Sequence, residues 1–202
     1  MASCLAGYAR NMSKMPGPTL PRPTSGDICA LILDDHRTME SLLRDLRLGV
    51  EDRAATRAAF AALLIAHSES EEQAVYGKLE QAAADVGQHE VEHGHEEHAE
   101  GTAALLELLE CKGLETKKFE DALQKVSAYV NHHFAEEELT ILGPAIATVP
   151  EKTRRTIGAQ WLTVRGKLLD ADCGSVEHVR NIVERDRARG LLPAELPDQP
   201  QD

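Results

Sequence analysis

Residues 60–79 read FAALLIAHSESEEQAVYGKL, and their spacing decides the fold. Phe60, Leu63, Leu64, His67, Glu71, Val75 and Leu79 recur at intervals of three and four, the period of one helix face. His67 and Glu71 therefore share the face that the leucines bury, one turn apart. A carboxylate on such a face is very costly unless it is paired or binds a cation. The stretch predicts a helix packed in a helical core, with a polar site inside it.

The same period extends to either side. Ile32, His36, Met39, Leu43 and Leu46 predict a helix from Asp27 to about Gly49. The helix holding residues 60–79 is expected to run from about Asp52 to Ala84, with Gly87 as its break. A third, Gln88 to Leu109, carries Val91, His95, His98, Thr102, Leu105 and Leu109. A fourth starts at Thr116 as N-cap and carries Phe119, Leu123, Val126, Val130, His133, Glu137 and Ile141. It should end at Leu142, because Gly143-Pro144 reads as a stop. Four helices of similar length joined by short breaks predict an all-α, up-down-up-down four-helix bundle over residues 26–148.

Two further helices are expected in a C-terminal extension, residues 149–190: Pro150 to about Asp170, docked by Trp161 and Leu168, and Ser175 to Arg189. Residues 1–25, with Pro16, Pro18, Pro21 and Pro23, read as a flexible leader, and residues 191–202 as a frayed tail.

Composition agrees with this reading. The 202 residues are 42 % apolar, mostly Ala, Leu, Val and Ile, and only 3 % aromatic, which suits helices. With 34 acidic residues against 22 basic, the net charge of −12 repels phosphate backbones and anionic lipids, so nucleic acid is excluded as a partner. The longest apolar run, Phe60 to Ala66, is too short to span a membrane. Cys4, Cys29, Cys111 and Cys173 form no CxxC pair, and no signal peptide is visible. A reduced cytoplasmic home is expected.

His followed four residues later by Glu occurs at His36/Glu40, His67/Glu71, His93/Glu97, His132/Glu136 and His133/Glu137. Any one of these is ordinarily a solvated surface pair, and the apolar stripe sorts them. His133 lines up with Val130, Val126 and Leu123, whereas His132 shares a face with Lys125, so His133 and Glu137 point inward. His36 lies between Ile32 and Met39, and His98 between His95 and Leu105. A single inward histidine is usually a core residue satisfied by one hydrogen bond. Four of them with two inward glutamates call for a compensating charge, which a pair of metal ions supplies.

The series His36, His67-Ser-Glu-Ser-Glu71, His98, His133-Phe-Ala-Glu-Glu137 resembles the H…HxxxE…H…HxxxE signature of hemerythrin-like (HHE cation-binding) domains. The flanks Asp35-His36-Arg37, Glu71-Glu72, Glu97-His98-Ala99-Glu100 and Glu137-Glu138 are similar to that family's too, over roughly residues 27–144. Two positions depart from it: where an aromatic-Pro pair often follows, this chain has Tyr76-Gly77 and Leu142-Gly143. The resemblance implies two non-haem iron ions, joined by an oxo or hydroxo bridge and by Glu71 and Glu137, with two histidines on each. Imidazole and carboxylate donors without thiolate would also accept manganese or zinc. The implied small ligands are dioxygen, peroxide or nitric oxide.

Oxygen carriers of that family have a fifth histidine. Here His95 could fill that place, although it stands three residues from His98 rather than four, and Glu40 could instead add a carboxylate. Otherwise both are neighbours of the site or surface groups. Tyr129, one turn before His133, is a candidate proton or electron donor or a packing residue. His89 and His93 should face solvent, and His178 lies outside the bundle. Three functions fit: an oxygen or nitric oxide carrier or sensor, a diiron oxidase, oxygenase or peroxide or nitric oxide scavenger, and an iron-sensing interaction module. The absence of an attached regulatory domain, and the extra helices after Pro150, lean the reading to redox chemistry.

Overall fold

The computed structural model describes residues 17–49, 52–83 and 86–193. Among these there are helices and no strands: α1 (Ile28–Leu48), α2 (Arg53–Ala74), α3 (Tyr76–Ala82), α4 (Gln88–Leu109), α5 (Lys117–Glu137), a π turn (Glu138–Leu142), α6 (Gly143–Thr148), α7 (Glu151–Asp170) and α8 (Val176–Ala188). Residues 1–16 of the expected leader, Cys4 among them, and the tail from residue 194 lie outside the described residues.

Local chemistry sets the helix ends. The side chains of Asp27, Asp52, Thr116 and Ser175 each accept from a backbone N–H of the first turn that follows. At the end of α1, Gly49 takes a left-handed conformation (φ 61°), which costs glycine nothing, and its N–H bonds back to the Asp45 carbonyl.

Each bundle helix crosses the same three layers. One apolar layer holds Met39, Leu43, Phe60, Leu64, Leu105, Phe119, Leu123, Val126 and Phe134. The other holds Ile28, Ile32, Val75, Tyr76, Leu79, Val91, Ile141 and Trp161. Between them along every helix fall buried polar residues: His36 in α1, His67 and Glu71 in α2, His98 in α4, His133 and Glu137 in α5. Since α1 and α4 traverse the layers in one sense and α2 and α5 in the other, neighbours are antiparallel. Outside this core, α7 packs on α1 and α2, and α8 packs on α4. Trp161 is fully buried there, so truncating it to alanine is expected to cost about 3–5 kcal/mol.

Two expected helix ends are corrected. The helix predicted through Ala84 breaks at Val75, whose φ of −119° leaves the helical range, and restarts as α3. Ala84 itself is outside the described residues. The break brings Tyr76 in beside Val75 and Leu79 in the second apolar layer, and that burial outweighs helical continuity. Likewise, Gly143-Pro144 does not end the fourth helix. The π turn widens the backbone, and Pro144 falls in the first turn of α6, where its missing N–H is tolerated.

Candidate metal centre

The six side chains expected inward meet in the polar layer. His36, His67, Glu71, His98, His133 and Glu137 are at most 6 % exposed. One donor atom from each of His36, His67, Glu71 and Glu137 lies within 4.8 Å of the others. A second such group is Glu71, His98 and His133, so Glu71 belongs to both. No sulfur atom enters either group.

The imidazoles share one orientation. Nε2 of His36 is 3.2 Å from Glu137, Nε2 of His67 is 3.2 Å from Glu71, and Nε2 of His98 is 3.4 Å from Glu71. His133 Nε2 is 3.9 Å from Glu137 and 3.0 Å from His98 Nε2. The opposite nitrogens face an outer set of carboxylates. His36 Nδ1 meets Glu138 at 2.9 Å, His133 Nδ1 meets Glu97 at 2.9 Å, and His98 Nδ1 meets Glu72 at 3.3 Å. His67 Nδ1 lies 3.6 Å from Asp35, whose two oxygens accept from Arg165 of α7 at 2.7 and 2.8 Å. For His36, His98 and His133 an acceptor at Nδ1 fixes the tautomer that leaves the Nε2 lone pair free, the usual arrangement around a metal-binding histidine, whereas His67 Nδ1 faces Asp35 beyond hydrogen-bond distance.

The inner atoms are left over. All four carboxylate oxygens of Glu71 and Glu137, and Nε2 of His36 and His67, are buried without a hydrogen bond. Buried polar atoms of native proteins rarely lack partners. Bonds of about 2.1 Å from one cation to two donors span the 3.2–3.4 Å separations at angles near 100–110°. By donor type, orphaned atoms and spacing, the residues fit a cation.

Protein groups alone distribute charge unevenly here. Burial, then the Glu137 charge, push the Glu71 carboxyl up to about 8. Burial acts the same way on Glu137, but the adjacent His36 ring and the charge of His133 override it and hold that carboxyl to about 2. Burial opposes the charge of His98 and His36, yet the glutamates around each raise both, His98 to about 10. Burial and neighbouring imidazolium charge lower His67 and His133. The centre thus holds protons that a divalent ion would displace.

Other candidates stand apart. His95 is partly exposed, with Nδ1 3.3 Å from Glu72 and its ring edge-on to Tyr76, and it belongs to neither donor group. Glu40, His89, His93 and His132 are exposed and His178 is half-buried. Tyr129 is half-buried and packs on the first apolar layer. The tyrosine at the centre is Tyr76, fully buried, stacked on His98 with its hydroxyl 3.2 Å from Nε2. The sequence reading missed Tyr76 because the break at Val75, which turns it inward, was unforeseen. The outer carboxylates Asp35, Glu72, Glu97 and Glu138 were visible only as flanks of the motif.

No helix among the described residues is long and apolar enough to cross a membrane. Residues 27–145 match the Hemerythrin HHE cation binding domain. Neither a curated protein nor a solved structure matches the chain.

Proposed function

As the chain belongs to the hemerythrin HHE cation-binding family, we propose that it holds two non-haem iron ions in this centre and uses them in redox chemistry with dioxygen, peroxide or nitric oxide. In this reading His36, His67, His98 and His133 would hold the ions together with Glu71 and Glu137, and Glu71, which belongs to both donor groups, would serve both ions. The observation that carries it is the convergence of histidine Nε2 atoms and unpartnered glutamate oxygens within one buried layer. Bound iron would supply electron exchange and a Lewis acid toward small oxygen or nitrogen ligands.

The chain's own groups shape that chemistry. The apolar layers on both sides exclude bulk water, and the outer carboxylates keep the His36, His98 and His133 rings aimed inward. Tyr76 holds a proton on its hydroxyl beside His98, and burial with the nearby Glu137 and Glu71 charges raises its pKa well above the ordinary value. The position of His95 on the rim, turned to Glu72, favours two incompletely ligated ions over the five-histidine arrangement of a carrier. Zinc or manganese could occupy the same donors.

The test is anaerobic iron loading followed by exposure to dioxygen, with the absorption spectrum and peroxide consumption recorded. Rapid oxidation of the iron to the diferric state that removing dioxygen does not reverse supports the redox reading. A stable spectrum reversed by removing dioxygen would replace it with a carrier or sensor, and failure to take up iron would reject it.

A further inference from the structure

Among the described residues, no buried arginine or lysine pairs with Glu72, Glu97 or Glu138, and Glu138 is 45 % exposed. Asp35 differs. Its side chain is 5 % exposed and is gripped by Arg165, itself 1 % exposed, through two hydrogen bonds of 2.7 and 2.8 Å. Arg165 also donates to the Pro21 carbonyl at 3.1 Å and lies over the Trp161 ring. Trp161 in turn stands edge-on to His67, with ring centroids 6.3 Å apart. Arg165, Trp161 and Pro21 all lie outside the matched segment, residues 27–145, on either side of it.

We propose that Arg165 is a positioning residue of the metal centre: it fixes the Asp35 carboxylate 3.6 Å from His67 Nδ1, where its charge favours the proton on Nδ1 and so leaves His67 Nε2 free for the ion. The inference rests on the assignment of His67 as a ligand. Asp35 Oδ2 is the atom shared by the two contacts, accepting from Arg165 Nε and facing His67 Nδ1 at 3.6 Å. The planar guanidinium holds both carboxylate oxygens at once and so fixes the plane of the carboxylate, which a point charge could not do. Without it, a carboxylate buried beside His67 has no cation to keep it ionised or oriented. The extension that carries α7 is therefore part of the site.

The pair can be replaced in a way that separates packing from positioning. Exchanging a buried ion pair for apolar residues of similar volume is often neutral or stabilising. Asp35→Leu with Arg165→Met therefore keeps the packing but removes the carboxylate. Cobalt(II) titration of the full chain would be followed by visible absorption and chelator competition, with far-UV circular dichroism and melting of the metal-free protein as controls for folding. The double variant is expected to retain its helices yet bind cobalt about 10–100-fold more weakly, with an altered spectrum. Asp35→Asn, which keeps Arg165 but removes the carboxylate charge, should show the same loss and serves if the double variant does not fold. Unchanged affinity and spectrum in a folded variant of either kind overturns the proposal. A parent chain that takes up neither cobalt nor iron overturns the proposed function instead.

Discussion

The Nε2 atoms of His98 and His133 lie 3.0 Å apart in the buried polar layer. Each ring has its Nδ1 turned to a carboxylate, Glu72 or Glu97, so the lone pairs of two such tautomers would meet head-on. Something positive must sit between or beside them. A proton on His98, whose pKa the flanking glutamates raise to about 10 against the effect of burial, does this with protein groups alone. A metal ion would do it with more charge, and would satisfy Glu71 as well.

Two irons per chain are therefore expected after anaerobic reconstitution. Glu71→Ala and Glu137→Ala should each lower that number, because either change removes a proposed ligand. Metal analysis of desalted protein checks this, and full stoichiometry in both variants would exclude the ligand assignment.

Iron should raise the melting temperature substantially. An ion bound only by the native state adds about 4 kcal/mol when free metal exceeds its dissociation constant a thousandfold. Glu71→Gln replaces a carboxyl that burial and the Glu137 charge keep largely protonated below pH 8, so it should leave the metal-free melting temperature nearly level while shrinking the rise caused by iron. Calorimetric scans of the four samples decide it. Equal melting temperatures with and without iron in the parent would contradict the expectation.

Tyr76→Phe separates the hydroxyl from the ring. Its hydroxyl lies on the same Nε2 of His98 that a metal would need. Loss of one hydrogen bond should cost the metal-free fold about 1 kcal/mol, while metal affinity stays level or rises. A tenfold fall in affinity would mean that the hydroxyl supports the bound ion.

His95→Ala should leave iron content and oxidation rate close to those of the parent, since His95 contacts Glu72 and the Tyr76 ring rather than the donor groups. Stopped-flow oxidation of the iron-loaded variant tests this. A much faster rate or a missing iron would make His95 a ligand.

Two thiols predict a pH dependence. Burial, with nearby acidic charge, pushes Cys29 up to about 12 from an ordinary 9.0, and burial pushes Cys173 up to about 11. A native pKa above the unfolded one means that the contribution is complete below pH 9 and is lost as pH rises through the native value. Stability should therefore decline between about pH 9 and 12. Denaturant titrations at several pH values should show a shallower decline when both cysteines are replaced by alanine. An unchanged slope would assign the decline to other groups.

The inner residues were legible because helical periodicity encodes them directly. His67 and Glu71 sit in register with Phe60 and Leu64, and His133 separates from His132 by the same count. The fold was legible for the same reason, with α4 at its expected bounds. What periodicity cannot reach is contact between distant positions. Arg165 and Asp35 are 130 residues apart, and neither stands out in its own helix until α7 lies on α1. The departures at Val75 and at residues 138–142 arise where tertiary burial overrides the local rule, so the break inside residues 52–84 went unseen and the Gly143-Pro144 signal misplaced the end of the fourth helix.

The π turn also sets the phase of the chain. Glu137 and Glu138 are consecutive, yet they reach opposite nitrogens of His36, Glu137 at Nε2 and Glu138 at Nδ1. Beyond them, Ile141, Leu142 and Ala145 must still fall into the apolar layer, and the wider turn absorbs the extra residue that makes this possible. An α-helix advances about 100° per residue. Deleting one residue from 139–142 would let the turn close to an α-helix with α6 in its present phase, whereas deleting two would rotate α6 by about that angle, exchanging buried Ala145 for the exposed Ile146 beside it. The segment therefore has one residue to spare and no more: side chains such as exposed Leu139 can vary, and so can the single residue that the wide turn takes up, but a second deletion would turn α6 out of the apolar layer.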